Sequence, residues 1–228
     1  MDRCTEIREL LSLHLEGDLE EAQRIEVDEH LAACAECAEL AEGVAEIAVL
    51  HMMLLARRYA RAREKLLQGK IFTPPGITLW KKKASVIGLG NVGHCVVERL
   101  QGLGMEVVGV NRDVSKGYED WGMKALFPLE EIHKAVRGCR FVIICLALTP
   151  DTEGLIDEKV LQSMDKDSFL INVARGPIVD RQSLEKALEE QWISGAGLDV
   201  LWEEPPRLDD PILHDNSITI TPHIGGVT

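Results

Sequence analysis

The sequence predicts an α/β protein built on a doubly wound parallel sheet, with a small helical extension at its N-terminus. Three observations carry this expectation. Between residues 84 and 220, short β-rich runs alternate with helical runs. Strands separated by helices in this order imply a parallel sheet covered on both faces. A glycine-rich turn joins the first of these strands to the first of these helices. The charge is also unevenly placed: of the formal net charge of -13, residues 1–42 carry -10, from thirteen Asp and Glu against three Arg. That acidic stretch reads as a unit separate from a near-neutral body.

Taken in order, Thr5 to Leu15 repeats apolar residues at Ile7, Leu10, Leu11 and Leu15, a helical spacing. Glu16-Gly17-Asp18 interrupts it, and a second helical run from Leu19 reaches His30, Cys34 and Cys37. A third run, Val44 to Leu67, places Val44, Ile47, Leu50, Leu54 and Leu55 on one side, with Arg57, Arg58, Arg61 and Arg63 toward its end. Pro74-Pro75-Gly76 closes the helical part and reads as a connector. Strands are expected at 84–87, 106–110, 141–146, 168–172, 195–200 and 217–220, and helices at 91–102, 129–136 and 181–190. The chain therefore divides into a helical segment at 1–42, a linking helix and connector at 43–83, and an α/β domain at 84–228.

Composition excludes several classes of partner. At 46% hydrophobic and 28% charged, the chain has the makeup of an ordinary globular protein. Its acidic balance opposes binding to nucleic acid or anionic membrane, which rests on Lys and Arg neutralising phosphates. The longest apolar stretch, Ile47 to Ala56, is interrupted by His51 and falls short of the roughly 20 residues that cross a bilayer. The N-terminus is acidic from Asp2 and lacks the apolar core of a secretory signal. Six cysteines in such a context point to reduced thiols or metal ligands, and to the cytoplasm. Cys95, Cys139 and Cys145 have no metal spacing and read as core.

The apolar run Ala84 to Ile87 leads into Gly88-Leu89-Gly90-Asn91-Val92-Gly93 and then a helix, so GxGxxG stands where strand meets helix. Gly88 makes the tight turn, Gly90 lets the backbone approach a pyrophosphate, and Gly93 packs the helix close to the strand. Backbone at Asn91 and Val92 opens the helix, whose N–H groups and positive dipole end favour phosphate. This is the dinucleotide-binding arrangement of the Rossmann fold. Its second strand commonly ends in an acidic residue that binds the ribose 2′-OH of NAD. Here Asn111 and Arg112 take that place. Without the carboxylate a 2′-phosphate is not repelled, and a guanidinium pairs with it, so NADP is favoured over NAD. An Arg112 turned to solvent, with Asp113 beside it, would favour NAD instead.

Three further segments resemble the D-isomer-specific 2-hydroxyacid dehydrogenases. They are Leu170-Ile171-Asn172-Val173-Ala174-Arg175-Gly176, then Gly197-Leu198-Asp199-Val200 with Glu203-Glu204-Pro205, then Thr221-Pro222-His223-Ile224-Gly225-Gly226. Leu148-Thr149-Pro150-Asp151-Thr152 resembles the family's loop on the nicotinamide side, with Ala147 where Pro is common. The helix from Val44-Ala45-Glu46 to Arg57-Arg58-Tyr59 resembles the family's linking helix. The resemblance covers about 43–228. It implies that Arg175 binds the carboxylate and carbonyl of a 2-oxo acid and that His223 protonates the carbonyl oxygen. Glu204 would pair with His223, and Asp199 would hold the nicotinamide carboxamide, with Thr149 and Thr152 on the cofactor. Carbonyl reduction needs a proton donor titrating near neutrality, which independently suits histidine held by a carboxylate. The resemblance also implies a homodimer formed through the linking helix.

The family's substrate-binding region before that helix is mostly missing here, and the chain stops at Thr228, where the family continues into another helix. The cleft is therefore expected to be one-walled unless a partner chain supplies the other wall, or the chain is a piece or fusion of reading frames.

In the N-terminal segment, His30, Cys34 and Cys37 form H-x3-C-x2-C, which a helix gathers on one face. Cys4 would complete a closed Cys3His zinc site, with His14 a substitute ligand. The pattern resembles the zinc-binding anti-sigma-factor type of finger, which also carries a Gly-Asp-Leu turn, as at Gly17-Asp18-Leu19. The bland reading is an acidic helical hairpin with reduced cysteines.

Two functional readings follow. The first is an NAD(P)-dependent oxidoreductase passing hydride between nicotinamide and C2 of a small 2-oxo or 2-hydroxy acid. The second is a nicotinamide-binding regulatory protein whose zinc segment at 1–42 engages a protein partner, with little catalysis.

Overall fold

The structure, a computed structural model, describes residues 27, 30, 33–115 and 118–226. Cys4, His14 and the Gly17-Asp18-Leu19 turn lie outside the described residues. Helix α1 (Ala35–Ala56) is followed by α2 (Tyr59–Leu67) and then by β1 (Lys83–Ile87), α3 (Asn91–Gly102) and β2 (Glu106–Asn111). After these come β3 (Ala125–Pro128), α4 (Ile132–Ala135), β4 (Phe141–Ile144), α5 (Glu158–Ser163) and β5 (Phe169–Asn172). The order closes with α6 (Arg181–Glu189), β6 (Gly195–Leu198) and β7 (Ile218–Ile220).

All seven strands lie parallel in one sheet, in the order β3-β2-β1-β4-β5-β6-β7. Side chains alternate between the two faces with period two. On one face Val86, Phe141, Ile143, Phe169 and Ile171 pack with Met52 and Leu55 of α1 and with Val96 and Leu100 of α3. On the other, Ile87, Val142, Ile144, Leu170 and Leu198 pack with Ile132 of α4, Leu161 of α5 and Leu184 of α6. The doubly wound parallel sheet expected from the sequence is therefore the fold.

Details differ from the expectation, each for a local reason. A seventh strand, β3, ends in Pro128 and sits at the sheet edge, where a missing N–H costs least. Helix α5 has six residues, too few to register as a period, and is held by the Asp157 carboxylate accepting the Val160 N–H at 2.9 Å. The linking helix is broken at Arg58, whose φ of 50° is left-handed, so α2 starts afresh at Tyr59. Helix α1 also begins at Ala35 and runs unbroken through the boundary placed at residue 42.

The buried side of α1 joins small residues to part of the apolar stripe expected from the sequence. Ala41, Ala45, Ala48, Met52 and Leu55 are buried, whereas Leu50 is 41% exposed. Small residues let α1 lie close to α3 and the sheet; of the stripe expected from the sequence, Leu55 is buried and Val44 and Ile47 are half-buried against the same core, while Leu50 is exposed. No helix among the described residues is long and apolar enough to cross a membrane.

Candidate active site

Strands β1 and β4 are neighbours, paired Ile87 to Ile144, and their connections leave toward opposite faces of the sheet. Such a switch point opens a crevice at the carboxyl ends of the strands. The glycine turn lies there. Gly88 has φ +97°, and a Cβ on it would stand 2.7 Å from the Cys145 carbonyl carbon and oxygen. A Cβ on Gly93 would stand 2.0 Å from the Gly88 oxygen, so this glycine lets α3 start against its own turn. A Cβ on Gly90 would meet nothing within 4 Å among the described residues. That open side, beside the backbone of Asn91 and Val92 at the first turn of α3, is the shape a pyrophosphate needs.

At the end of β2, Asn111 Nδ2 donates to the Tyr118 hydroxyl at 2.6 Å. Arg112 reaches across to Asp151 at 3.4 Å, both side chains largely exposed, so its guanidinium lies at the mouth between the β2 and β4 loops. Thr152 is buried; its hydroxyl accepts the Thr149 N–H at 2.7 Å and donates to the Ala147 carbonyl at 2.8 Å, which shapes that loop.

Arg175, Glu204 and His223 come together from three loops at the same end of the sheet. Buried Asn172, at the end of β5, accepts the Ala174 N–H and donates to the Arg175 carbonyl, which turns the chain sharply. A Cβ on Gly176 would stand 2.2 Å from the Leu201 oxygen, so the arginine loop packs directly on the turn that carries Glu204. Glu204 Oε1 accepts the Leu201 N–H at 2.8 Å, and Oε2 lies 2.7 Å from His223 Nδ1. His223 Nε2 lies 3.5 Å from Arg175 Nη1. Nδ1 therefore faces a carboxylate and Nε2 faces a guanidinium.

His223 has φ 53°, a left-handed conformation that is costly for a residue with a Cβ. Asp199 holds it there. Its carbonyl accepts the His223 N–H at 2.8 Å, and its carboxylate accepts the N–H groups of Ile224 at 3.0 Å and Gly225 at 2.9 Å. Asp199 is 2% exposed and also accepts the Thr221 hydroxyl at 2.5 Å, so its carboxylate faces the histidine loop. Sequence reasoning assigned no role to Asn172, Thr221 or His51, whose part is described below. The one signal was His51 itself, a polar interruption in an apolar helix.

At the start of α1, the ligand atoms of His30, Cys34 and Cys37 all lie within 4.8 Å of one another. They do not share one continuous helical face: Cys34 has φ -112° and ψ 107° and caps α1, with its N–H bonded to the His30 carbonyl at 2.8 Å. The kink still gathers one nitrogen and two sulfurs at a spacing that tetrahedral zinc can close up.

Comparison with known proteins agrees with this geometry. The model for the D-isomer specific 2-hydroxyacid dehydrogenase NAD binding domain matches residues 49–225, and a zinc-finger model matches residues 4–38. A glyoxylate reductase of Pyrococcus horikoshii is 33% identical over 198 residues, 83% of this chain and 58% of that protein. A D-3-phosphoglycerate dehydrogenase of Methanocaldococcus jannaschii is 34% identical over 190 residues, 81% of this chain and 35% of that one. Among solved structures, a D-isomer specific 2-hydroxyacid dehydrogenase from Xanthobacter autotrophicus Py2 in complex with NADPH and MES superposes with a TM-score of 0.75 at 28% identity. That match covers 83% of this chain and 77% of the other. The chain spans about half the length of the curated glyoxylate reductases it matches. With the glycine turn, the arginine loop and the Glu204–His223 pair at one end of the sheet, the chain belongs to the D-isomer specific 2-hydroxyacid dehydrogenase family, through its NAD binding domain.

Proposed function

We propose that the protein is an NAD(P)-dependent reductase of small 2-oxo acids, working reversibly as a 2-hydroxyacid dehydrogenase. The observation that carries this reading is the convergence of His223, Glu204 and Arg175 beside the dinucleotide crevice. A bound nicotinamide would supply or accept the hydride at C2. The chain's own residues do the rest. Gly88, Gly90 and Gly93, with the backbone of Asn91 and Val92, would hold the pyrophosphate. The Arg175 guanidinium draws in the substrate carboxylate and polarises the carbonyl. Glu204 accepts a hydrogen bond from the Nδ1–H of His223, whose proton stays on the ring, which leaves Nε2 as the nitrogen that gives its proton to the carbonyl oxygen and recovers it in the reverse direction. Asp199, in this reading, sets the angle of the histidine loop.

Asn111 and Arg112 support NADP over NAD, because a cation at the crevice mouth suits a 2′-phosphate. The zinc-finger match and the clustered His30, Cys34 and Cys37 support a structural zinc, completed by Cys4. The linking helix supports a homodimer, and the acidic segment at 1–42 supports a protein partner in the cytoplasm.

Turnover of glyoxylate and other short 2-oxo acids by the full chain, with NADPH and NADH, tests the reading. Oxidation of the cofactor that collapses in His223→Ala sustains it. The fused finger and the half-length match to the relatives favour one rival, a nicotinamide-binding regulator. Tight cofactor binding with no turnover of any acid in the panel would establish that rival instead.

A further inference from the structure

We propose that His51, on the linking helix, is a positioning residue for His223 and acts on it through Thr221 and Asp199. This rests on the reading of His223 as the proton donor.

His51, on α1, is 0% exposed, and its side chain faces the sheet. Its Nδ1 is 2.7 Å from the Thr219 hydroxyl, and its Nε2 is 2.9 Å from the Thr221 hydroxyl. Thr221 Oγ1 is in turn 2.5 Å from Asp199 Oδ1. Donor and acceptor rules leave one consistent arrangement of protons. A carboxylate only accepts, so the single hydroxyl proton of Thr221 goes to Asp199. The Thr221 oxygen then accepts from His51, which places the ring proton on Nε2. Nδ1 is left to accept the Thr219 hydroxyl proton. The chain runs in one direction, from Thr219 through His51 and Thr221 to the carboxylate that clamps the His223 loop. Burial keeps the ring neutral, with its pKa pushed down to about 4 against the opposing pull of Asp199. One donor and one acceptor therefore persist across the working pH range.

Packing alone does not call for a histidine here. The helix face around it is apolar, and a buried imidazole is costly unless both nitrogens are bonded. The fold also makes room for it: a Cβ on Gly197 would stand 2.5 Å from the His51 Cβ. What histidine adds is direction. It fixes the rotation of Thr221, two residues before a catalytic side chain whose backbone is left-handed. A second contact from α1 lies nearby, where a Cβ on Gly225 would stand 3.2 Å from the Val44 Cα. The helix thus braces the catalytic loop at both ends.

The test compares wild type, His51→Leu, His51→Gln, Thr221→Val and the His51→Leu/Thr221→Val double variant as full chains. Each is measured for NADPH affinity, for kcat and KM on glyoxylate, and for histidine ring nitrogen and proton signals by NMR from mildly acidic to mildly basic pH. The expected wild-type spectrum contains a neutral ring carrying a slowly exchanging proton on Nε2, which vanishes in His51→Leu. In that variant the His223 ring signals broaden and move, and kcat falls about tenfold while KM and NADPH affinity stay within about twofold. Thr221→Val gives the same loss, and the double variant loses no more than either alone. His51→Gln, which keeps one donor and one acceptor, recovers most of the rate. Unchanged His223 signals in His51→Leu would overturn the proposal. So would a His51→Gln variant no better than His51→Leu while its NADPH affinity is intact. If wild type turns over no acid, that failure strikes the enzyme reading, and the ring signals of His51→Leu and His51→Gln decide this one by themselves.

Discussion

Nδ1 of His223 lies 2.7 Å from Oε2 of Glu204, and the other oxygen of that carboxylate is tied to the Leu201 N–H at 2.8 Å. The carboxylate cannot swing freely, so the ring it holds has a defined tautomer. Removing the ring in His223→Ala is expected to lower kcat by about 10²- to 10⁴-fold, the usual worth of a positioned acid. Glu204→Gln offers an amide that can donate to Nδ1 and so invert the tautomer, with an expected loss of roughly tenfold to a hundredfold. Steady-state oxidation of NADPH with glyoxylate measures both, and NADPH affinity stays near wild type in each. Full turnover by His223→Ala would remove this residue from the mechanism.

Among the described residues, an exposed, 3.4 Å ion pair to Asp151 holds Arg112 at the mouth of the crevice. Such a pair is weak and exchanges easily for a phosphate. Arg112→Ala should therefore raise the Kd for NADPH by about tenfold and change that for NADH by no more than about twofold. Fluorescence titration with the two cofactors decides it. Tighter binding of NADH than NADPH by wild type would reverse the assignment of cofactor.

The burial of His51 has a consequence for acid stability. Its folded pKa of about 4 lies below its ordinary value of 6.5, so between these limits the unfolded chain binds a proton that the folded chain refuses. Stability from this group is fully present above pH 6.5 and declines as pH falls toward 4, by about 1.4 kcal/mol per pH unit. The Arg181–Asp210 pair acts lower: Arg181 holds the Asp210 carboxyl below its ordinary 3.8, so its contribution is present above 3.8 and lost only at more acid pH. Denaturant unfolding of wild type across pH 7 to about 4 should show the decline, and His51→Leu should lose most of it. Parallel curves for the two proteins would contradict this account.

Metal analysis of protein purified without chelator should find about one zinc per chain, released on unfolding or by a strong chelator. Cys37→Ser and Cys34→Ser should each abolish it, while cofactor binding persists. Stoichiometry far below one in wild type would leave the cluster as reduced cysteines.

Gly93 tests the cofactor cradle. A methyl group there would stand 2.0 Å from the Gly88 oxygen, and neither partner is a flexible side-chain end. Gly93→Ala should destabilise the domain by about 1–3 kcal/mol and raise the Kd for NADPH at least about tenfold. Thermal unfolding with and without NADPH reads both effects. A variant that still gains wild-type thermal stability from NADPH would show that this contact does not shape the site.

Much of the architecture is legible in the chain because it rests on local rules. The alternation of Val86, Ile143 and Ile171 with Ile87, Ile144 and Leu170 needs only a pleated strand buried on both faces. The glycine turn needs only a strand before it and a helix after it. The residues Arg175, Glu204 and His223 could be named from their motifs, but their meeting depends on three loops separated by up to 48 residues. β3 escaped because Pro128 demotes its run as a strand, and α5 because six residues are too few for a helical period to show. The alanines of the buried face of α1, Ala41, Ala45 and Ala48, escaped because alanine carries little hydrophobic signal, although it is the residue that allows two helices to approach closely.

The sequence by itself determined the doubly wound parallel fold and the dinucleotide turn. Both follow from periodicity or from a short motif whose geometry is set within a few residues. Only the tertiary structure decided that Asp199 turns inward to clamp the His223 loop, and that His51 reaches Thr221 from 170 positions away. Hydrogen bonds between distant segments leave no periodic trace, because their partners are chosen by how the helix packs on the sheet and not by spacing along the chain.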